Sequence, residues 1–318
     1  MDPSDPLSFV HKSTLLSTGR QYHYVDQLPP NYGWRYQIRP WVERGYRVIV
    51  PDMLGYGTTD KPYDVGAYTT KRLCEDLVAL LDHIGVRKAV MIGHDWGSFT
   101  VSRFALWHPD RIIALIQLSV PYTPPAPEYI SVEEMARRYS NFAYQVYFAD
   151  PSSTQEIEDN LFAFWSRVYR KPGSGHGILS PGSRKLAMAL DDVLEPDGLL
   201  LTPQETQYYR PFFEGAMRGP LNYYRTARLR FEEEKAANLP TTLPASLPAL
   251  LIWGTEDPTC LRPVVARAHK FVPSLREVSV EGCGHWIMIE AKDAVTQTVL
   301  DFLDSVNLLG ERPVAAKL

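Results

Sequence analysis

The residue best suited to chemistry in this chain is an aspartate that lies between two glycines. Residues 93–98 read Gly-His-Asp-Trp-Gly-Ser; a strand-like apolar run at 89–92 precedes them and a helix-like segment follows. Glycines two positions on either side permit a sharp strand-to-helix turn that exposes the central side chain. Such turns usually present a serine or a cysteine, whereas this one presents Asp95. The alternative is a chance G-x-D-x-G pattern in a glycine-containing turn.

A carboxylate nucleophile implies a particular reaction. A serine attacks acyl carbons, and its ester is then cleaved at the carbonyl group of the substrate. A carboxylate attacks an alkyl carbon, such as that of an epoxide or a haloalkane, and water then attacks the carbonyl of the enzyme's own carboxyl group. Asp95 therefore predicts a hydrolase that forms a covalent alkyl-enzyme ester.

Two further polar residues follow predicted strands and complete a nucleophile, acid and base in that chain order. Asp257 comes after the buried strand 250–254 and is the predicted acid, with Glu256 as its competitor. Asp before Pro is also a common turn opener, which is the alternative explanation for this residue. His285 follows the alternating strand 276–280 behind two glycines, where a core histidine is not expected, and it is the predicted base.

The elements that must position these residues alternate between strands and helices. This alternation predicts a mostly parallel sheet covered by helices on both faces. After residue 121 the sequence becomes rich in aromatic residues, prolines and helical patterns, which predicts a helical cap inserted after the sixth strand. We predict a core at 1–121, a cap at 122–245 and a second core segment at 246–318. Other strands are expected at 9–16, 21–26, 46–51 and 112–120, and helices at 31–45, 71–84, 98–107 and 294–306.

Composition is typical of a water-soluble enzyme. The net charge is −4 at pH 7 and the basic residues are scattered, which excludes an electrostatic footprint for nucleic acid. Three cysteines without metal-ligand spacing suit a reducing compartment. No apolar run is long enough to span a membrane and the N-terminus lacks signal-peptide features, so we predict a cytoplasmic protein. Its last residues, Ala316-Lys317-Leu318, resemble the S-K-L peroxisomal address. The sequence specifies no oligomeric state.

Several motifs together resemble the soluble epoxide hydrolases of the α/β-hydrolase fold, over nearly the whole chain. They are YGWRYQIRPW (32–41), YRVIVPDMLGYGTTDKP (46–62), GHDWGS (93–98), FAYQVYF (142–148), RGPLNYYR (218–225) and CGHW (283–286). The resemblance implies that Asp95, Asp257 and His285 are nucleophile, acid and base, and that Tyr144 and Tyr224 open the epoxide ring. It implies hydrolysis of lipophilic epoxides to vicinal diols, with the epoxide and water as partners and no metal or organic cofactor.

The two tyrosines also suit this chemistry on physical grounds. Opening an epoxide creates an alkoxide, which needs hydrogen-bond donors as its charge develops. Phenols are protonated at neutral pH and still donate strongly, because their unperturbed pKa is about 10. The backbone N–H of Trp96 is the predicted oxyanion donor for the ester. Any single tyrosine could merely line a pocket. Structural or lining roles are expected of several cap aromatics: Tyr139, Tyr147, Tyr223, Phe142, Phe148, Phe162, Phe164 and Trp165. The aromatic density of the predicted cap favours a lipophilic substrate.

One departure from the family pattern concerns the oxyanion site. The family has a buried strand and an HGxP-type loop before the WRYQI helix, whereas here residues 24–30 run directly into 31–34. A strand with its turns is about ten to twenty residues, roughly what is absent. Three explanations remain: a skipped segment in the gene model or transcript, a sheet whose neighbouring strands have paired, or an impaired enzyme. We hypothesise that alkylation survives better than ester hydrolysis.

Two alternative functions remain open. A haloalkane or haloacid dehalogenase shares the aspartate turn and the tryptophan after it, but it needs halide donors rather than paired phenols. A non-catalytic relative would combine a degenerate sheet with a cap that binds a ligand. The two tyrosines favour the epoxide hydrolase, and the complete nucleophile, acid and base argue against the non-catalytic alternative.

Overall fold

The computed structural model describes residues 8–26, 32–174 and 198–306, and their strands form two sheets. The strands are β1 (His11–Leu15), β2 (Gln21–Asp26), β3 (Ile49–Pro51), β4 (Ala89–His94), β5 (Ile112–Leu118), β6 (Ala249–Gly254) and β7 (Leu275–Val280). β1, β2 and β3 form an antiparallel sheet in that order, and β4 to β7 form a parallel sheet in that order. The parallel strands confirm the predicted α/β fold class.

The sheet is interrupted between β3 and β4. Within the described ranges β3 pairs only with β2, and β4 pairs only with β5. β3 covers 49–51 rather than the predicted 46–51, and these three residues are the ones that pair with β2. Every residue of β6 is buried, whereas β4 is only partly buried. The neighbouring strands have therefore not paired to close the gap, and that explanation for the absent segment is wrong.

Side-chain packing, rather than strand pairing, connects the two sheets. Aromatic and aliphatic residues from the chain between β2 and β3 lie in one hydrophobic cluster with residues of β4, β5 and β6. The cluster includes Trp34, Trp41, Tyr46, Val48, Val90, Ile92, Ile116 and Ile252. The helix predicted at 31–45 is shorter, with a 3₁₀ turn at Tyr32–Trp34 and α1 at Ile38–Glu43; Asn31 lies outside the described residues. Pro40 lies in the first turn of α1, where a missing N–H is tolerated.

Helices cover the parallel sheet, as the alternation predicts. They are α2 (Thr70–His83), α3 (Trp96–Trp107), α11 (Arg262–Ala268), α12 (Ile287–Glu290) and α13 (Lys292–Ser305). The apolar stripe of α2 is buried at Leu73, Leu77, Leu80 and Leu81. Thr69 caps the helix start by accepting a hydrogen bond from the Arg72 N–H.

A second group of helices lies between β5 and β6 and forms the cap. They are α4 (Val132–Arg138), α5 (Ala143–Ala149), α6 (Ser153–Asp159), α7 (Leu161–Val168), α8 (Pro203–Phe213), α9 (Arg218–Arg225) and α10 (Ala227–Ala236). Among the described residues five strands precede the cap, rather than the expected six. β5 ends at Leu118 because Ser119 has a left-handed backbone, with φ 64°. The cap limits at 121/122 and 245/246 stay a prediction, and residues 316–318 lie outside the described ranges.

Candidate active site

Asp95 occupies a strained turn between β4 and α3. Its backbone has φ 52° and ψ −118°, a region that side chains rarely adopt, and such strain is concentrated at functional sites. A Cβ atom on Gly93 would lie 2.5 Å from the Ser98 nitrogen, so the close passage of the strand past the helix requires glycine there. A Cβ atom on Gly97 would meet nothing within 4 Å, so steric crowding does not require glycine at this second position.

The imidazole of His285 lies between two carboxylates. Its Nε2 atom is 3.2 Å from Asp95 Oδ1, and its Nδ1 atom is 3.0 Å from Asp257 Oδ2. Each residue follows a parallel strand, β4, β6 or β7, and the carboxyl ends of these strands meet at one edge. Glu256, the competing acid, is exposed to solvent, while the Asp257 side chain is fully buried. The geometry therefore favours Asp257 as the partner of His285.

Electrostatics favour a charged imidazole in the resting site. Burial opposes charge on His285, but the charges and hydrogen bonds of Asp257 and Asp95 outweigh it and raise the pKa of His285 to about 10. Burial likewise opposes the charges of both carboxylates, yet interaction with His285 keeps the pKa of Asp95 and that of Asp257 below their usual range. The Asp95 side chain keeps 29% of its surface exposed, against 6% for His285. The predicted nucleophile is therefore partly accessible, whereas the predicted base is buried.

The two predicted cap tyrosines lie together above this site. Tyr144 on α5 and Tyr224 on α9 are 6.2 Å apart between ring centroids, and the Tyr224 ring is 5.1 Å from that of Trp96. Burial raises the pKa of both phenols, and the negative charge of Asp95 raises it further. Both hydroxyls therefore stay protonated over the whole physiological range and are available as donors.

Close backbone packing positions the helix that carries Tyr224. A Cβ atom on Gly55, in the loop after β3, would lie 2.9 Å from the carbonyl carbon of Gly219 in α9. The neighbouring Tyr223 hydroxyl donates a hydrogen bond of 2.9 Å to the Leu54 carbonyl oxygen. Tyr223 thus has the structural role that its sequence context indicates, because it fixes the cap helix to the core loop.

Three residues that the sequence did not identify also belong to this region. Burial and the charge of Asp95 raise the pKa of Tyr56, which lies between two glycines in the loop after β3. Tyr169 stacks on Trp286 with 4.0 Å between ring centroids. Thr259 contacts both Asp257 and His285. The glycine-flanked position of Tyr56 was a usable signal, whereas nothing local distinguishes Tyr169 or Thr259 from other loop residues.

The structure also shows how deeply the other residues around the predicted site are buried. Tyr139 and Phe162 are 44% and 67% exposed, so they are not buried pocket-lining residues, whereas Tyr147 is buried in the cap. Cys283, two residues before His285, is a partly buried free thiol. The residues before Tyr32 that would hold the oxyanion loop, 27–31, lie outside the described ranges. In 8–26, 32–174 and 198–306 no cluster of histidine, cysteine and acidic residues is arranged for a metal ion.

Comparison with known proteins identifies the family. The alpha/beta hydrolase fold family matches residues 28–292. Epoxide hydrolase A of Mycobacterium tuberculosis is 34% identical over 290 residues, which cover 87% of this chain and 88% of that protein. The chain belongs to the epoxide hydrolase family. A solved epoxide hydrolase A, from Mycobacterium thermoresistibile, superposes with a TM-score of 0.78 at 31% identity and covers 93% of this chain and 98% of its own.

Another member of the epoxide hydrolase family is longer than this chain. Bifunctional epoxide hydrolase 2 of Mus musculus is 29% identical over 320 residues, and the match spans 57% of its length. The chain therefore corresponds to a little over half of that protein. Within the described residues, no helix combines the length and the apolar character that a membrane crossing requires.

Proposed function

We propose that this chain is an epoxide hydrolase that converts lipophilic epoxides to vicinal diols. The observation that carries the proposal is the placement of His285, with Asp95 at 3.2 Å on one ring nitrogen and Asp257 at 3.0 Å on the other. A partly exposed carboxylate next to a buried imidazole suits a two-step reaction through an ester. Relatives named as epoxide hydrolases support the assignment.

In the first step a carboxylate oxygen of Asp95 forms a bond to one ring carbon of the epoxide. The bond between that carbon and the ring oxygen breaks, and its electron pair goes to the oxygen. Tyr144 and Tyr224 donate hydrogen bonds to this oxygen as its charge develops, and one of the two hydroxyls transfers its proton to it. The 6.2 Å between the two ring centroids, and the contact of the Tyr224 ring with Trp96 next to Asp95, support a shared role for the two phenols.

In the second step His285 takes a proton from water, and the oxygen of that water attacks the carboxyl carbon of Asp95. The ester bond then breaks, and the released diol oxygen takes the proton back from His285. The second proton of the water, left on the Asp95 carboxyl group, returns to the tyrosine that protonated the ring oxygen, so the Asp95 carboxylate re-forms. Ester formation itself prepares the base, because it removes one of the two negative charges that raise the pKa of His285. The backbone N–H of Trp96 donates to the oxyanion that forms during this attack.

The cap composition supports a lipophilic substrate. Buried aromatic and apolar side chains surround the two tyrosines; they include Tyr147, Phe148, Phe164, Trp165, Met217 and Leu221. Such a lining offers apolar contacts to the substrate, with the two phenols as its polar donors. The steps above use only side chains, water and the Trp96 N–H, so the proposal requires no cofactor.

A direct assay tests the proposal. Styrene oxide is incubated with the protein and with Asp95→Ala, and the diol is quantified; we expect diol only from the wild type. A single turnover in ¹⁸O-labelled water should place the label in the Asp95 carboxyl group, because water attacks the enzyme ester. Label in the first diol released, or equal diol from Asp95→Ala, would contradict the mechanism.

A further inference from the structure

The buried carboxylate of Asp257 receives most of its described hydrogen bonds from one threonine. The backbone N–H of Thr259 donates to Asp257 Oδ1 at 2.8 Å, and its hydroxyl donates to the same oxygen at 2.7 Å. His285 Nδ1 occupies the other oxygen at 3.0 Å. The Asp257 side chain is fully buried, and a buried carboxylate stays ionised only when its oxygens are paired.

The Thr259 hydroxyl also contacts the base directly. Its oxygen lies 3.0 Å from His285 Nδ1, the same distance that separates Nδ1 from Asp257 Oδ2. A hydroxyl has one proton, and the shorter contact assigns it to Asp257. The lone pairs of the Thr259 hydroxyl therefore face His285 Nδ1. They can accept a hydrogen bond from an N–H group at Nδ1, whereas an unprotonated Nδ1 would receive no hydrogen bond from this hydroxyl.

We propose that Thr259 is a positioning residue that keeps the proton of the neutral His285 on Nδ1, so that Nε2 is free to take a proton from water. The proposal rests on the proposed function for its kinetic consequence. Thr259 acts through Asp257 and His285 and does not touch the substrate. Its hydroxyl fixes the orientation of the carboxylate by occupying Oδ1, and it adds a second acceptor for the Nδ1–H group.

The Thr259→Val variant tests this role because it removes the hydroxyl while the backbone N–H remains. We expect ester hydrolysis in a single turnover of styrene oxide to slow about tenfold or more, the size typical of a lost hydrogen bond to a charged group. Formation of the ester should change less than twofold, because that step does not use His285 as a base. Thr259→Ser should restore hydrolysis.

The matched control is Thr296→Val, another buried threonine whose hydroxyl donates only to a carbonyl of its own helix, that of Lys292. This variant should leave both steps unchanged. Equal rates of ester hydrolysis in Thr259→Val and the wild type would overturn the proposal. If the valine variant does not fold, Thr259→Ala is measured in its place.

A second measurement does not depend on epoxide turnover. The ¹⁵N resonances of the His285 ring, assigned by their loss in His285→Gln, are recorded in the ligand-free protein, where both ring nitrogens carry a proton and each chemical shift reports the hydrogen bond that its N–H donates. The Nδ1 resonance should shift in Thr259→Val and return in Thr259→Ser; an unchanged resonance would overturn the proposal. A wild type that forms neither ester nor diol would contradict the proposed function, while this spectrum would still decide the role of Thr259.

Discussion

Gly55 and Gly219 lie backbone against backbone, so that a Cβ atom on Gly219 would come within 2.7 Å of the Gly55 Cα atom. This contact joins the core loop after β3 to the cap helix that carries Tyr224. The position of a proposed ring-opening phenol therefore depends on two residues that have no side chain.

Replacing Gly219 with alanine should displace α9 and with it Tyr224. We expect the free energy of unfolding to fall by about 1–3 kcal/mol, the usual cost of overpacking, and diol formation to fall with it. Urea denaturation and the diol assay measure the two effects. Gly97→Ala is the control, because its Cβ atom meets nothing and alanine favours a helix by about 0.5–1 kcal/mol. Equal stability of the two variants would show that the contact is not tight.

A buried ion pair is a second connection between core and cap. Arg35 Nη2 lies 2.8 Å from Glu205 Oε1, and both side chains are at least nine-tenths buried. Glu205→Gln removes the negative charge that pairs with Arg35 in a buried site, which should cost about 3–5 kcal/mol in urea denaturation. The glutamine can still accept the Thr202 N–H bond that caps α8. The control variant is Arg39→Met, which breaks an exposed ion pair with Glu43 and should cost less than about 1 kcal/mol. A similar loss of stability in both variants would show that the buried pair does not stabilise the contact between core and cap.

Replacing Tyr144 and Tyr224 with phenylalanine distinguishes the epoxide hydrolase from a dehalogenase. The double variant keeps the aromatic packing but lacks both donors to the ring oxygen. Diol formation should fall at least about 10²-fold, the lower end of what one lost oxyanion donor typically costs. Diol release from styrene oxide and halide release from a haloalkane are measured in parallel. Haloalkane turnover that survives in the double variant would favour the dehalogenase.

Ester hydrolysis should depend on the protonation of His285. In the ligand-free site the two carboxylates raise the pKa of His285 to about 10. The ester lacks the Asp95 charge, so the pKa of His285 in this intermediate should lie below that value. Single-turnover hydrolysis should therefore rise about tenfold per pH unit at acidic pH and level off below pH 10. A hydrolysis rate that does not change between pH 5 and pH 9 would exclude His285 as the base.

The absent HGxP-type segment predicts an imbalance between the two steps. One lost oxyanion donor typically slows a reaction about 10²–10³-fold, and only the second step forms an oxyanion on the enzyme. We expect an ester adduct to accumulate and to be visible by intact-mass spectrometry after exposure to styrene oxide. Asp95→Ala should show no adduct. Rapid diol formation without any lingering adduct would refute this expectation.

The sequence was informative wherever local patterns specify local structure. The glycines around Asp95 predicted a sharp turn, and the alternating strands predicted that Asp257 and His285 follow parallel strands at one edge of a sheet. The structure brings these three side chains together. Its helix boundaries differ from the predicted ones by a few residues, as at α2, because capping by Thr69 rather than the apolar stripe sets the start of that helix.

Long-range contacts were beyond the reach of sequence patterns. Thr259 is two residues from Asp257, but only the folded loop shows that its hydroxyl also reaches His285. Tyr169 is one of 18 tyrosines, and its stacking on Trp286 depends on how the cap lies over the core. Cap residues that look alike in sequence differ in burial, as Phe162 and Phe164 show.

The sequence by itself determined the residue types available for catalysis, their order along the chain and the absence of one segment, because these follow from neighbouring residues. Only the tertiary structure decided that, in the part of the chain it describes, β3 and β4 do not pair and side-chain packing connects the two sheets. Strand pairing and cap docking depend on residues far apart in the chain, and their relative positions are fixed only when the whole core packs.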